Sequence, residues 1–313
     1  MYVVTGGAGF IGSHLVRGLN DRGITDILVV DDLTDSAKVQ NLSDCRVADY
    51  LDRQELRELL SKDKFDAPVE AILHQGACTD TMETDGRYVM ENNLTFSKTM
   101  LKFALSREAP FVYASSAAVY GTNKTTREVP ENERPLNVYG FSKLAFDQVV
   151  RRILPEVSST VVGLRYFNVF GPRETHKGRM ASMIYQLSRQ LTDTGKARLF
   201  EGTDGYADGE QRRDFVFVGD VVKVNLFFAD GPDAKGIFNV GTGRSRSFNA
   251  VARTLIKLTG GGEIEYVPFP AALEGKYQSF TEADLTALRD AGYDEPFTSL
   301  ENGIAQAVKA WQS

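Results

Sequence analysis

The sequence predicts an α/β protein: a doubly wound parallel sheet with a second, smaller mixed α/β domain. Three observations carry that expectation. Short β-branched runs alternate with longer helix-period segments from Tyr2 to Arg165, the βαβα rhythm of a parallel sheet covered on both faces. A glycine-spaced turn follows the first run. At 313 residues, 42% apolar and 25% charged, the chain can bury two cores and lies outside the compositional range of disorder.

In order, Tyr2–Thr5, Ile27–Asp31, Ala71–His74, Phe111–Ser115 and Thr160–Arg165 read as buried strands. Helices are expected near Phe10–Asp21, Arg53–Lys62, Glu91–Arg107 and Val138–Ile153, lengths suited to crossovers. After Pro172 the rhythm breaks into a basic stretch with Gly and Met, then an irregular loop from Gly202 to Arg212. Phe215–Val218, a helix ending near Ala229 and Gly236–Val240 again read strand, helix, strand. Residues 1–168 with about 214–241 are therefore expected to form the first domain, and 169–213 with 242–313 the second.

Acidic side chains number 42 against 36 basic ones, a formal net charge of −6, so neither nucleic acid nor an anionic membrane is an expected partner. Cys45 and Cys78 are too few for a disulfide framework and show no metal-ligand spacing, so both read as thiols. No stretch approaches 18 uncharged apolar residues, and the chain begins without a basic, apolar and cleavable segment. A cytoplasmic address is expected.

Thr5-Gly6-Gly7-Ala8-Gly9-Phe10-Ile11-Gly12 spaces Gly6, Gly9 and Gly12 between a strand and a helix. Small residues let the backbone approach a pyrophosphate whose charge the helix N-terminus stabilises, so the sheet is expected to be Rossmann-like and to hold a dinucleotide. Asp31 closes the second strand about 20 residues later, the place of a ribose-binding acid, which by itself favours NAD. Lys38 and Arg53 follow, and two such cations could hold a 2′-phosphate. On residues alone, NAD and NADP both stand.

Ser116 follows the run Phe111–Ser115 at the carboxyl end of its strand, and Tyr139-Gly140-Phe141-Ser142-Lys143 lies on a later helix. Four-residue spacing puts Tyr139 and Lys143 on one helical face. There the ammonium can lower the phenol's pKa and reach a cofactor ribose, while Ser116 orients the hydroxyl. A tyrosinate so held can take a proton from a carbinol as hydride leaves.

With these motifs the chain resembles the extended short-chain dehydrogenase/reductase superfamily. Arg165-Tyr166-Phe167-Asn168-Val169-Phe170-Gly171-Pro172 and Arg213-Asp214-Phe215-Val216-Phe217-Val218-Gly219-Asp220-Val221 are similar to its nucleotide-sugar branch. His74-Gln75-Gly76-Ala77-Cys78-Thr79, Leu136-Asn137-Val138-Tyr139-Gly140, His176-Lys177-Gly178-Arg179-Met180-Ala181-Ser182, Phe200-Glu201-Gly202 and Tyr277-Gln278-Ser279-Phe280-Thr281 narrow the resemblance to the ADP-L-glycero-D-manno-heptose 6-epimerase family, end to end. That resemblance implies an NADP-dependent, cytoplasmic homopentamer, one cofactor per subunit, acting on an ADP-heptose for the lipopolysaccharide inner core.

It further implies transient oxidation at the sixth heptose carbon and re-reduction from the opposite face. One acid/base group cannot reach both hydroxyl orientations, so a second is wanted. The resemblance assigns it to Lys177, which on residues alone reads as a solvated or phosphate-contacting charge. It assigns cofactor contacts to Phe10, Ile11, Asp31, Asp32, Lys38, Arg53, Gln75, Gly76, Ala77, Cys78, Thr79, Asn92 and Lys143. Substrate contacts fall to Asn168, Val169, Lys177, Arg179, Gln186, Phe200, Glu201, Gly202, Thr203, Arg213 and Tyr277. Arg213 suits a diphosphate because its planar fork matches phosphate oxygens.

The family commonly carries Asn, Lys, Glu and Ser where this chain has Asp32, Arg53, Gln75 and Arg179, and Asp32 adds negative charge beside a 2′-phosphate. A UDP-sugar 4-epimerase would use the same Ser116, Tyr139 and Lys143, and the Lys177 loop separates the two readings. A dehydratase would add an acid pair where Ala117-Ala118 stand. A non-catalytic dinucleotide sensor would not need all three acid/base side chains.

Overall fold

The computed structural model describes residues 1–231, 233–273 and 277–312. The chain forms two compact units whose segments alternate along the sequence: 1–119, 137–165 and 221–238 in the first, and 120–136, 166–220 and 239–313 in the second.

The first unit opens with β1 (Tyr2–Thr5), α1 (Phe10–Asp21), β2 (Ile27–Asp31), β3 (Asp49–Asp52) and α2 (Arg53–Ser61). It continues with β4 (Ala71–His74), α3 (Gly86–Met90), α4 (Phe96–Ser106), β5 (Phe111–Ser116), α5 (Val138–Ile153) and β6 (Val161–Tyr166). The second unit contributes β7 (Asn168–Phe170), α6 (Met183–Thr194), β8 (Lys196–Phe200), β9 (Arg212–Arg213) and β10 (Phe215–Phe217). α7 (Val218–Asp230) and β11 (Lys235–Val240) return to the first, and β12 (Arg246–Ser247), α8 (Phe248–Thr259), β13 (Glu263–Val267), α9 (Thr286–Asp290) and α10 (Leu300–Gln312) complete the second.

The central sheet has seven strands in the order β11-β6-β5-β4-β1-β2-β3, as the alternating pattern predicts for a doubly wound fold. Strand order reverses between β1 and β4, parallel neighbours in which Thr5 stands opposite His74. A ligand crevice belongs outside the carboxyl ends at that switch point. Val3, Leu28, Val30, Ile72 and Phe111 pack with Phe96, Met100 and Phe146 into one core. Gly18 on α1 has the Val222 and Leu226 side chains of α7 against it, so that helix covers the sheet beside α1.

The helix expected over Glu91–Arg107 begins earlier, at Gly86, and widens into a π-turn at Glu91–Thr95 before α4. In the second unit Phe170, Ile184, Leu187, Leu199, Phe215, Phe248, Leu255 and Ile304 form a separate core. Three two-stranded pairings support it: β10 with β7, β12 with β9 and β13 with β8. The units and the expected bounds differ most at Tyr120–Leu136, where Tyr120 Oη donates to Asn239 (2.7 Å) and Thr126 Oγ1 to the Glu282 carbonyl (2.6 Å). Among the described residues no helix is long and apolar enough to cross a membrane.

Candidate active site

At the carboxyl end of β1 the chain turns through Gly6, whose φ of 65° and closeness to Gly76 leave no room for a Cβ: one would lie 2.7 Å from the Gly76 nitrogen. Gly12 is tighter still, its Cβ position 2.0 Å from the Gly6 carbonyl oxygen. α1 starts at Phe10 with Gly9 as N-cap and no side-chain cap on its first-turn amides. Uncapped N–H groups in a glycine cradle suit a pyrophosphate. The Phe10 side chain is buried with its ring edge to His14, and Ile11 is half-buried.

Asp31 receives the Ala8 amide (2.8 Å) on Oδ2, and on Oδ1 the Asp32 amide (2.7 Å) and Lys38 Nζ (3.1 Å). Arg53 pairs with Asp32 (3.2 Å) and donates to Asn92, while its buried Nε has no hydrogen-bond partner. Each cation that could hold a 2′-phosphate thus already has a carboxylate.

At the switch point a chain of buried hydrogen bonds assigns every proton. Gly76 N–H donates to Thr5 Oγ1 (3.1 Å), and Thr5 Oγ1 meets His74 Nδ1 at 2.6 Å. His74 Nε2 meets Ser97 Oγ at 2.8 Å, and Ser97 donates to the Asn93 carbonyl (2.7 Å). Ser97 spends its proton on Asn93, so it must accept from His74 Nε2–H, leaving Nδ1 to accept from Thr5. His74 is neutral: burial, helped by the Lys143 charge, pushes its pKa down to about 3. It serves as a core hydrogen-bonding residue at the end of β4.

Asn93, in the π-turn, clasps Cys78 through both backbone groups (2.7 and 2.9 Å) and donates to Ser142 Oγ (3.0 Å). Ser142 donates in turn to the Tyr139 carbonyl (2.7 Å). The Cys78 loop is thereby tied to α5. The Gln75 side chain turns instead to Asn225 (3.2 Å), Ala77 is half-buried and Thr79 exposed.

The Ser116 hydroxyl lies near the Tyr139 phenol and favours its ionised form. The Tyr139 phenol nevertheless sits above its usual pKa, because burial outweighs the effect of Ser116 and Cys78 adds to the rise. The expected lowering by Lys143 is not what the structure shows. The Lys143 ammonium is buried and turned to the Ala114 carbonyl (2.9 Å), with its own pKa pulled down to about 8 by burial, which Asp147 opposes.

In the second unit Lys177 lies in a 3₁₀ turn (Thr175–Met180) broken at Gly178, where φ is 51°. Glu174, fully buried, closes this loop: its carboxylate accepts from Gly171 N (3.2 Å), Ser182 N (2.5 Å) and Ser182 Oγ (2.8 Å). Burial lowers the Lys177 pKa, partly offset by Glu174. Gln186 donates to the carbonyls of Arg179 (3.1 Å) and Ala181 (2.7 Å), so its amide braces the loop.

Arg213 is buried over the Tyr277 ring (4.8 Å) and near Phe248 (5.6 Å). Burial lowers its pKa and the Tyr277 phenol beside it opposes that. Phe200, Phe269 and Tyr277 meet edge to face at 5.3–6.2 Å. Asn168 Nδ2 reaches the Asp214 carbonyl (3.3 Å), and Val169 pairs with Val216. Glu201, Gly202 and Thr203 open the loop that Asp208 folds back by accepting from Gly202 N (2.8 Å).

Residues 2–241 match the NAD dependent epimerase/dehydratase family. The chain is 57% identical to the ADP-L-glycero-D-manno-heptose-6-epimerase of Alkalilimnicola ehrlichii, covering 99% of this chain and 97% of that protein. It is 53% identical to that of Thiobacillus denitrificans, over 98% and 97%. The chain belongs to the ADP-L-glycero-D-manno-heptose-6-epimerase family. Membership makes it an epimerase, hence an isomerase. The crystal structure of the Helicobacter pylori ADP-L-glycero-D-manno-heptose-6-epimerase superposes with a TM-score of 0.86 at 32% identity, covering 100% of this chain and 96% of that one.

Several residues of this epimerase escaped the sequence reading: Asn93, Ser97, Asp147, Glu174 and Phe269. The adjacent pair Asn92-Asn93 in a helical stretch was the available signal, since Asn favours local backbone bonds over helix and marks the π-turn. Glu174 and Asp147 sit in ordinary helical or loop patterns, and only burial distinguishes them.

Proposed function

We propose that this epimerase inverts the sixth carbon of the heptose in ADP-D-glycero-D-manno-heptose, giving ADP-L-glycero-D-manno-heptose for lipopolysaccharide inner-core biosynthesis. The observation that carries the reading is Tyr139 one helical turn from Lys143 on α5 with Ser116 near its phenol, in a chain 57% identical to a named 6-epimerase over nearly its full length. A nicotinamide dinucleotide, when bound, would supply the reversible hydride transfer at the carbinol carbon. The glycine cradle, the uncapped N-terminus of α1 and the orphaned Arg53 Nε suit such a group.

Gly6, Gly9, Gly12, Phe10 and Ile11 would hold its diphosphate through backbone amides, and Asp31 its adenosine ribose. We assign the cofactor as NADP, one per subunit, with Lys38 and Arg53 on the 2′-phosphate; their pairing with Asp31 and Asp32 keeps NAD as the weaker alternative. Tyr139 takes the hydroxyl proton, oriented by Ser116, and Lys143 reaches the cofactor ribose. Lys177, its ammonium destabilised by burial, gives or takes the proton of the opposite epimer. Arg213 clamps the substrate diphosphate beside Tyr277 and Phe200. The assembly is a cytoplasmic homopentamer.

Incubating purified protein and NADP with ADP-D-glycero-D-manno-heptose, then resolving the epimers, tests the reading. Interconversion without net dinucleotide reduction is expected. Stoichiometric reduction with no epimer would make the protein a dehydrogenase instead.

A further inference from the structure

Tyr139, Lys143 and Asp147 follow one another at one-turn spacing along α5, and the mechanism above uses only the first two. Asp147 has no exposed surface. Its Oδ1 accepts from the Tyr113 hydroxyl (2.9 Å), and its Oδ2 accepts from Ser115 Oγ (2.9 Å) and from Nε and Nη2 of Arg165 (3.0 and 2.8 Å). Ala114, between those two β5 donors, offers its carbonyl to Lys143 at 2.9 Å. Three consecutive residues of β5 therefore grip Lys143 and Asp147 together, and the next residue is Ser116. Gly163 on β6 completes the fit, because a Cβ there would stand 2.4 Å from the Tyr113 phenol oxygen.

A carboxylate and a guanidinium with no exposed surface add little stability, since desolvation cancels most of their attraction. Their best-attested use is to select one packing register over its neighbours. We propose that Asp147 is the positioning residue of this active site: it locks α5 on β5 in the register that sets Tyr139 and Lys143 beside Ser116, and it places a carboxylate one helical turn from the Lys143 ammonium. The proposal rests on the roles given above to Tyr139 and Lys143.

The titratable and charged groups around Lys143 are Tyr139 and Asp147 on α5, Cys78 beyond β4, neutral His74 on β4 and, through Asp147, Arg165 on β6. Asp147 is the one among them that favours the ammonium against burial, with a smaller contribution from Cys78. Neutralising Asp147 removes that support and takes from the Arg165 cation its Asp147 partner. Both changes deprotonate Lys143 at lower pH.

The test compares wild type, Asp147→Asn and Tyr113→Phe by the pH dependence of reduced-dinucleotide binding and of kcat for epimerisation. In Asp147→Asn the alkaline limb of both profiles should move down by about one pH unit, a roughly tenfold loss above it. Tyr113→Phe removes one hydrogen bond and no charge, and its limb should stay with the wild type. A folded Asp147→Asn whose limb does not move overturns the proposal. Should that variant fail to fold, Tyr113→Phe combined with Ser115→Ala loosens the grip while keeping the charge: kcat should fall at least about tenfold with substrate KM unchanged, and wild-type kcat overturns the proposal. Dinucleotide binding does not depend on the sugar nucleotide, so a wild type that binds dinucleotide without epimerising would refute the activity and leave the Asp147 test standing.

Discussion

Replacing His74 by Phe should change how the folding stability depends on pH, and the structure sets both size and sign. His74 is buried, neutral and fully hydrogen-bonded between Thr5 and Ser97, with Phe96 and Phe111 against its ring. Phenylalanine keeps the aromatic packing and loses two hydrogen bonds, a cost of about 2 kcal/mol near pH 7.5. The imidazole's folded pKa, about 3, lies below its ordinary 6.5. Its contribution is therefore complete above pH 6.5 and is lost as pH falls toward 3, because the unfolded chain binds the extra proton. In that window wild type loses about 1.4 kcal/mol per pH unit relative to a chain without this histidine. By pH 5 the loss is about 2 kcal/mol, so the two proteins should become equally stable there and reverse order below. Urea unfolding of both proteins from pH 7.5 to 4.5, followed by far-UV circular dichroism, measures the difference while all other titrations cancel. Parallel stability curves across that range would refute the neutral, doubly bonded His74.

Tyr139→Phe should lower epimerisation by about 10²–10⁴-fold with dinucleotide affinity within a few-fold, checked by epimer resolution and fluorescence titration; unchanged turnover would remove Tyr139 from the chemistry. Lys177→Met should show a comparable loss with the cofactor still bound, and wild-type-like turnover would end its assignment as the second acid/base group. In Gly12→Ala the new Cβ meets the Gly6 carbonyl at 2.0 Å, so the cradle must open and dinucleotide affinity should fall at least about tenfold by calorimetry. Asp32→Asn releases Arg53 from its 3.2 Å ion pair and removes a negative charge beside the proposed 2′-phosphate site. The ratio of NADP to NAD affinity should then rise by about fivefold to tenfold, and an unchanged ratio would separate Asp32 from cofactor choice.

The doubly wound sheet, the glycine turn and the Ser116, Tyr139 and Lys143 set were legible in the linear chain because each rests on local rules. Alternating period marks buried strands and crossover helices, small residues mark a tight backbone turn, and a four-residue step marks one helical face. The edge strand β3, Asp49–Asp52, shows why such legibility fails: half-exposed and charged at both ends, it has no apolar run.

What the linear chain could not decide is how side chains far apart in sequence share charge and hydrogen bonds. Local spacing put Lys143 under Tyr139, yet folding turned the ammonium to Ala114 and left burial to dominate the phenol. Lys38 and Arg53 read in the linear chain as two bare cations, and the fold pairs each with a carboxylate. Gln75 and Gln186 kept their places but spent their amides on Asn225 and on the carbonyls of Arg179 and Ala181. Asp147 and Glu174 look like ordinary acids in one dimension. Only the tertiary structure withdraws them from water, and a carboxylate without water must take its hydrogen bonds from whichever elements the fold brings near.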